Sequence, residues 1–380
     1  MTTLNPTSPS ECQELWTGIA KRPPFTELEQ RYSLTKFEHL LHADTLNTLK
    51  NRLITTENGS TQRGHTQRGQ APQNDFSQHT QRGQAPQNTQ RGQAPQNTQR
   101  GQALQSSLAS LERGQAPQND FSQSLNHGQA CQIDFKQSFK CQNSMSDSED
   151  YYETIIFKDK IIPTRPNSWH DLFNGLIWLN FPKTKTLLNE WHVEDIQSHG
   201  LTPRTHRRNQ ITLFDECGVI LAVSDPQICE NLSNHQWQKV FIEDRHKWAN
   251  YNSYLHHDLE RLNNQDSHVK NNQDSHVKMP AAKAFVFGHA NYEMLLNPFI
   301  GLTGKWLAIR VDNSFFEENY DRQLTILDSA IYDLLNRKHL LSNSRKLSPI
   351  PLLGIPGWHL ANENEDFYMN QDYFRPARSK

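Results

Sequence analysis

The sequence predicts an α+β protein: a single mixed domain of helices and short strands with a helical N-terminal arm, interrupted by a disordered repeat insert. Three observations carry that expectation. Apolar residues recur at helical spacing in some stretches and in short unbroken runs in others. The hydrophobic content is 34%, below the roughly 45 to 50% of ordinary globular chains. The deficit is local, because 21 of the 32 glutamines lie between Gln62 and Gln142, whereas all eight tryptophans lie outside that window. What remains outside residues 58–127 is long enough to bury a core.

Residues 1–57 form the arm. Phe37, Leu40, Leu41, Leu46, Leu49 and Leu53 fit one or two helices between Thr35 and Ile54, and Thr35 with Glu38 has capping-box spacing. Residues 58–127 are built from repeats: TQRGQAPQN stands at 80–88 and again at 89–97, with longer copies at 69–78 and 114–123. The longer copies align with GQACQIDFKQ at 128–137, which reads as the parent segment, a short strand carrying Ile133 and Phe135. A stacked solenoid fails because the unit offers only Ala and Pro as apolar groups. These cannot offset the roughly 1 to 2 kcal/mol of backbone entropy per ordered residue. The Arg-Gly steps lack the interleaved aromatic residues that single-stranded nucleic acid would stack on. NNQDSHVK at 263–270 and 271–278 is a second duplication, whose His268 and His276 need no metal to explain their spacing.

The family-like body is expected over 128–380. Residues 151–162 read as a strand, and Asn167 or Ser168 caps a helix from Trp169 to Leu179. Thr184 caps the next helix, which runs to about Ser198 and ends at Gly200. QITLFD and VILAV, joined at Glu216 to Gly218, read as a β-hairpin. Ser224 or Asp225 with Pro226 starts a further helix. AFVFG is a strand entering a helix at about His289, KWLAIRV is another strand, and Arg322 to Asn336 is a helix.

Charge and cysteine usage narrow the partner classes. Thirty-nine basic against 41 acidic residues give a net charge of −2, so no global basic field draws the chain to nucleic acid or anionic lipid. Nucleic acid is therefore not expected as its main partner. Five scattered cysteines without CxxC spacing fit a reducing cytoplasm. No signal peptide is expected. Asn174 and Asn180 break the most apolar run, so no membrane span is expected either.

At PTRPNSWHDLFNGLIWLNFPKTK the chain acquires a family resemblance. Residues 151–192, TLFDECGVIL at 212–221, FGHANYE at 287–293, PFIGLT at 298–303, IPLLGIPGW at 350–358 and FYMNQDYFRP at 367–376 occur in order. Together they resemble the bacterial domain-of-unknown-function family 3025. The resemblance covers most of 128–380 and implies kinship without an activity. Asn209, where the family usually has Asp, and His359, where it usually has an aromatic residue, depart from the pattern.

The candidate site lies in residues 163–293. A helix beginning near Trp169 places His170 and Asn174 on one face with Asp171 beside them. A histidine next to a carboxylate suits a general base or a metal ligand, whereas the structural alternative has Asp171 favouring the helix N-terminus. Arg165 could clamp an anionic ligand or pair with Asp171. His289 and Glu293 stand four apart on a helix, a two-ligand spacing for zinc or another divalent metal, although such a pair is more often an ordinary helical contact. Asp215 and Glu216 fit a turn. The working expectation is a polar or metal-binding pocket supporting hydrolysis, with His170, Asp171 and Glu293 catalytic. Arg165, Asn174 and Asp215 would bind ligand, and His170, Asp171, His289 and Glu293 would hold the divalent metal as cofactor. One ion at roughly 2.0 to 2.1 Å from each nitrogen requires the two histidine rings within about 8 Å. The alternative is a non-catalytic protein- or nucleic-acid-binding module using Arg204, His206, Arg207 and Arg208. GLTGKW at 301–306 lacks phosphate-loop spacing, and no GxSxG or GxGxxG turn is present.

Overall fold

Caps and close-packed aromatic residues set the architecture of this computed structural model, which describes residues 8–62, 133–137, 151–251, 279–338, 341 and 347–377. The repeat insert beyond Gln62 and the 263–278 duplication, with His268 and His276, lie outside the described residues. In the arm, Ser8 accepts from the Glu11 amide to begin α1 (Pro9–Ile19), and α2 (Phe25–Tyr32) and α3 (Ala43–Gln62) follow. The expected helix start at Thr35 is replaced by a 3₁₀ turn over Leu34–Lys36. Thr35 does not cap it, because its hydroxyl and amide both bond to Glu29.

Beyond the insert, β1 (Asp134–Gln137) lies parallel to β2 (Ile161–Thr164), with Ile133 and Phe135 buried as their apolar character requires. Asn47 of α3 exchanges two hydrogen bonds with the Phe135 backbone, 2.8 and 3.0 Å, which fastens β1 to the arm. Most of the expected 151–162 strand is instead a helix, α4 (Tyr152–Asp159), ending at Lys160 in the left-handed region. Ser168 caps α5 (Trp169–Asn180), as its position implies. In α6 (Pro182–His199) the start is Pro182, not a Thr184 cap. The Thr184 amide and hydroxyl both turn to Asp328.

The expected hairpin is also corrected. QITLFD belongs to α7 (His206–Cys217), capped by Thr205, and only the second half forms a strand, β3 (Gly218–Val223). Arg208, Ile211 and Phe214 are buried at i, i+3 and i+6, one face of a helix. Asp225 and Pro226 begin α8 (Pro226–Ser233), followed by β4 (Ala282–Val286), α9 (His289–Leu296), β5 (Thr303–Arg310), α10 (Tyr320–Lys338) and β6 (Pro349–Pro351).

The main sheet has the order β4-β3-β5-β6, with β3 antiparallel to β4 and parallel to β5, and β5 antiparallel to β6. Every residue of β3 is buried, as an unbroken Val/Ile/Leu run in the middle of a sheet should be. The mixed helix and short-strand content is that of an α+β protein. Residues of the arm up to Thr55 and those from 133 onward belong to one unit. Trp16 of α1 stacks on Trp169 of α5 at 6.2 Å, and Phe25 of α2 meets Tyr292 of α9 at 5.8 Å. The arm therefore shares the core of the body. Among the described residues no helix is long and apolar enough to cross a membrane.

Candidate functional site

Two histidines 119 positions apart meet because their helices are locked together one turn further along. Phe173 of α5 stacks on Tyr292 of α9 with ring centroids 5.3 Å apart. His170 lies three residues before Phe173 and His289 three before Tyr292, so each histidine sits about one turn above a partner in that stack. The Nε2 atoms of His170 and His289 come within 3.0 Å, with the rings nearly perpendicular at 85°. The 8 Å condition is satisfied with a wide margin.

Each ring turns its other nitrogen toward a carboxylate. Nδ1 of His170 lies 3.0 Å from Oε2 of Glu293. Nδ1 of His289 faces Asp215, whose Oδ2 is 3.9 Å away, and makes no hydrogen bond of ordinary geometry among the described residues. Glu293 thus serves His170 across the helix interface, not His289 on its own helix as the four-residue spacing implied. Asp215 reaches the centre because two chain corners cross. The Phe287 and Gly288 amides both donate to the Gly218 carbonyl, at 3.1 and 2.8 Å. This clasps the β4–α9 junction to the α7–β3 junction.

Behind Asp215 lies a buried polar network. Lys185 of α6, its side chain 4% exposed, donates to Asp215 at 2.5 Å and to Asn174 at 3.0 Å. Its ammonium also lies 5.3 Å from the Trp178 ring centre. Asn174 donates onward to the Tyr152 hydroxyl at 2.8 Å. Asn174 consequently faces Lys185 and Tyr152. His192 is buried on the same helical face as Lys185 and Asn189, and its Nδ1 has no hydrogen-bond partner among the described residues.

Asp171 is occupied elsewhere. It accepts from the Arg165 amide at 2.6 Å and from its guanidinium at 2.6 and 3.0 Å, a two-pronged pairing that also pins the loop before α5. Of the four residues expected to hold a metal, only the two imidazoles converge through Nε2; Glu293 occupies the opposite nitrogen of His170, and Asp171 is held by Arg165. Among the described residues no group of three or more His, Cys, Asp or Glu side chains is arranged to hold an ion.

Burial dominates the electrostatics. It depresses His289 to a pKa of about 3, with Lys185 and His170 acting in the same direction and Asp215 opposing. His289 is therefore neutral at ordinary pH. Burial pushes Asp215 up, but the Lys185 ammonium, the His289 ring and the Lys185 hydrogen bond together bring it below its ordinary value. Tyr152 is raised well above the usual phenol range by burial and by the Glu153, Asp171 and Asp215 carboxylates. His192 is lowered by burial. Burial and the Glu216 charge raise the Cys217 thiol, which disfavours the thiolate.

The basic residues at 204–208 do not form a free patch. Arg208 is fully buried and donates to the Gly200 and Leu201 carbonyls at 2.9 and 2.6 Å, closing the end of α6. Arg207 pairs with Glu194 at 2.9 Å and lies over Trp191, while Arg204 donates to the Tyr151 hydroxyl at 3.0 Å.

Comparison with known families places this arrangement. A family profile described as a protein of unknown function, DUF3025, matches residues 137–265 and 252–378. The chain belongs to the DUF3025 family. No curated protein and no solved structure matches it significantly. All the polar residues described above lie inside the DUF3025 span. The arm that covers α5 and α9 precedes it.

The sequence missed Lys185. Its neighbours Thr184, Thr186 and Asn189 mark α6 as having a polar side, but local spacing gives no sign that this side is buried against Asp215.

Proposed function

We propose that the chain is a hydrolase whose polar pocket works by general acid–base catalysis, with Glu293 and His170 as the working pair. The observation that carries this reading is the 3.0 Å approach of His170 and His289, flanked by Glu293 and Asp215. Hydrolysis needs a group to take a proton from attacking water and one to return a proton to the leaving group. The Glu293 side chain is 34% exposed and that of His170 is 26% exposed, whereas His289 is buried. Glu293 meets His170 through Oε2, so its other oxygen is the one available to water or substrate. Asp171 stands outside the reaction, and Arg165 positions it rather than a ligand. Cys12, Cys217 and Cys229 are free thiols, which supports a reducing, cytoplasmic setting.

The test is a panel of chromogenic carboxylic esters, phosphoesters, glycosides and peptide amides, run with the full chain and with His170→Ala and Glu293→Gln. Turnover of one class is expected, falling about 10²- to 10⁴-fold in either variant. Equal rates in all three proteins would remove the reading. Stoichiometric metal on elemental analysis, lost in a His170→Ala/His289→Ala double variant, would replace it with a metal-assisted one.

A further inference from the structure

The tautomers of the two histidines follow from which of their neighbours can donate. Nε2 of His170 and Nε2 of His289 lie 3.0 Å apart, so one must carry a hydrogen and the other a lone pair. If His289 carried its proton on Nε2, its Nδ1 lone pair would be aimed at Asp215. That group offers only acceptors when ionised: the carboxylate lies 3.9 Å away, and both it and the Asp215 carbonyl favour a proton on the ring. Two lone pairs facing one another in a buried site are repulsive. The other arrangement places N–H opposite the carboxylate and leaves Nε2 to accept.

Asp215 can impose this preference only while it is charged, and a carboxylate largely withdrawn from water, its side chain 19% exposed, needs a partner to remain so. Lys185 is that partner: it is buried, 2.5 Å from Asp215, and held from its other side by Asn174. The groups packed around His289 come from separate elements, with His170 on α5, Lys185 on α6 and Asp215 on α7. None is a local neighbour of His289 in sequence, so the orientation is a product of the fold.

We propose that Asp215, backed by Lys185, is the positioning residue of the centre: it holds His289 with its proton on Nδ1 and its lone pair on Nε2. His170 then donates through Nε2 to His289, with its Nδ1 3.0 Å from Oε2 of Glu293. The consequence for the pocket is directional. His289 acts as a fixed, neutral acceptor at the inner end, and His170 bridges it to the carboxylate that faces solvent. This assignment rests on the reading of His170 and Glu293 as the working pair, but its readout is independent of turnover.

Nitrogen-15 spectra of the full chain, labelled at histidine, decide it. His289 and His170 are assigned from the resonances lost in His289→Gln and His170→Gln. In the unaltered protein at neutral pH, His289 is expected to show a protonated Nδ1 and an unprotonated Nε2, favoured by at least about tenfold. Asp215→Asn and Lys185→Met should bring the Nε2-protonated form of His289 into view, and Lys185→Arg should restore the original pattern. A His289 proton on Nε2 in the unaltered protein would overturn the proposal whether or not the variants fold. So would folded Asp215→Asn with unchanged His289 shifts. If the expected tautomer is found but no substrate is turned over, the hydrolase reading fails and the positioning role of Asp215 stands.

Discussion

His289 holds the sharpest consequence at the scale of single residues. Its folded pKa is about 3, against about 6.5 in an unfolded chain. Below pH 6.5 the unfolded state binds a proton that the folded state refuses, so stability is lost as pH falls through the window from about 6.5 to about 3. Above that window both states are neutral and the contribution is flat. Between pH 7.5 and 5 the loss from this residue should be ~2 kcal/mol, and His289→Gln should flatten the slope of urea-unfolding free energy against pH by about that amount. An unchanged slope would mean that His289 titrates normally. Asp171 gives a separate expectation. Asp171→Ala removes the carboxylate that accepts from the Arg165 amide and guanidinium and should cost about 1 to 3 kcal/mol in the same assay. Asp171→Asn, which keeps an acceptor for the amide, should cost less. His170, His289 and Glu293 were legible in the sequence because each has a chemically suited neighbour within one turn. Their actual pairing was not, since Glu293 crosses to the other helix and Asp171 turns away. Lys185 was illegible for the same reason: an amphipathic lysine on a helix looks alike whether its head reaches water or a buried carboxylate.

Elements were legible where a cap or a proline fixed their start. Ser168 before α5, Asp225–Pro226 before α8 and the unbroken apolar run of β3 left little choice. Residues 151–159 and 206–217 were misread because a short apolar run serves a buried strand and a buried helix equally well, and length alone separates them poorly. Of the two segments, α7 matters more for the site. A hairpin would have put Asp215 in an exposed turn, whereas a helix running directly into β3 drives it inward beside Lys185 and His289. The crossing of the two corners depends on Gly288, where an added methyl would sit 2.5 Å from the Cys217 nitrogen and press on the Glu216 carbonyl. Its φ of −70° is ordinary for any residue, so the requirement is space and not conformation. Gly288→Ala must part the corners, and a cost of about 1 to 3 kcal/mol is expected. A thermal melt measures it, and the histidine nitrogen-15 shifts should move in the same variant because Asp215 is carried on the displaced backbone. A melting temperature equal to that of the unaltered protein would show that the corner is looser than the geometry requires.

The whole molecule is larger than its family signature. The DUF3025 match begins at residue 137, yet Trp16, Phe25 and Leu28 of the arm are buried against the body, and the stack Trp16–Trp169–Phe173–Tyr292 runs from α1 through α5 to α9. Both histidine-bearing helices therefore depend on residues outside the family span for part of their core. The sequence revealed the arm as helical and the repeats as a separate material, but not which residues of the arm and the body meet. Aromatic burial between segments more than 100 residues apart leaves no local periodicity to read. Residues 128–380 produced alone would expose Trp169 and lose the Asn47 hydrogen bonds that hold β1. That fragment is expected to bind the dye ANS and to melt without a cooperative transition. In the full chain, Trp16→Ala should cost about 3 to 5 kcal/mol, because the indole is fully buried and its Nε1 donates to Glu29 at 2.8 Å. A cooperative melt of the 128–380 fragment at the temperature of the full chain would show that the body folds without the arm, and the histidine pair would then owe its geometry to α5 and α9 alone.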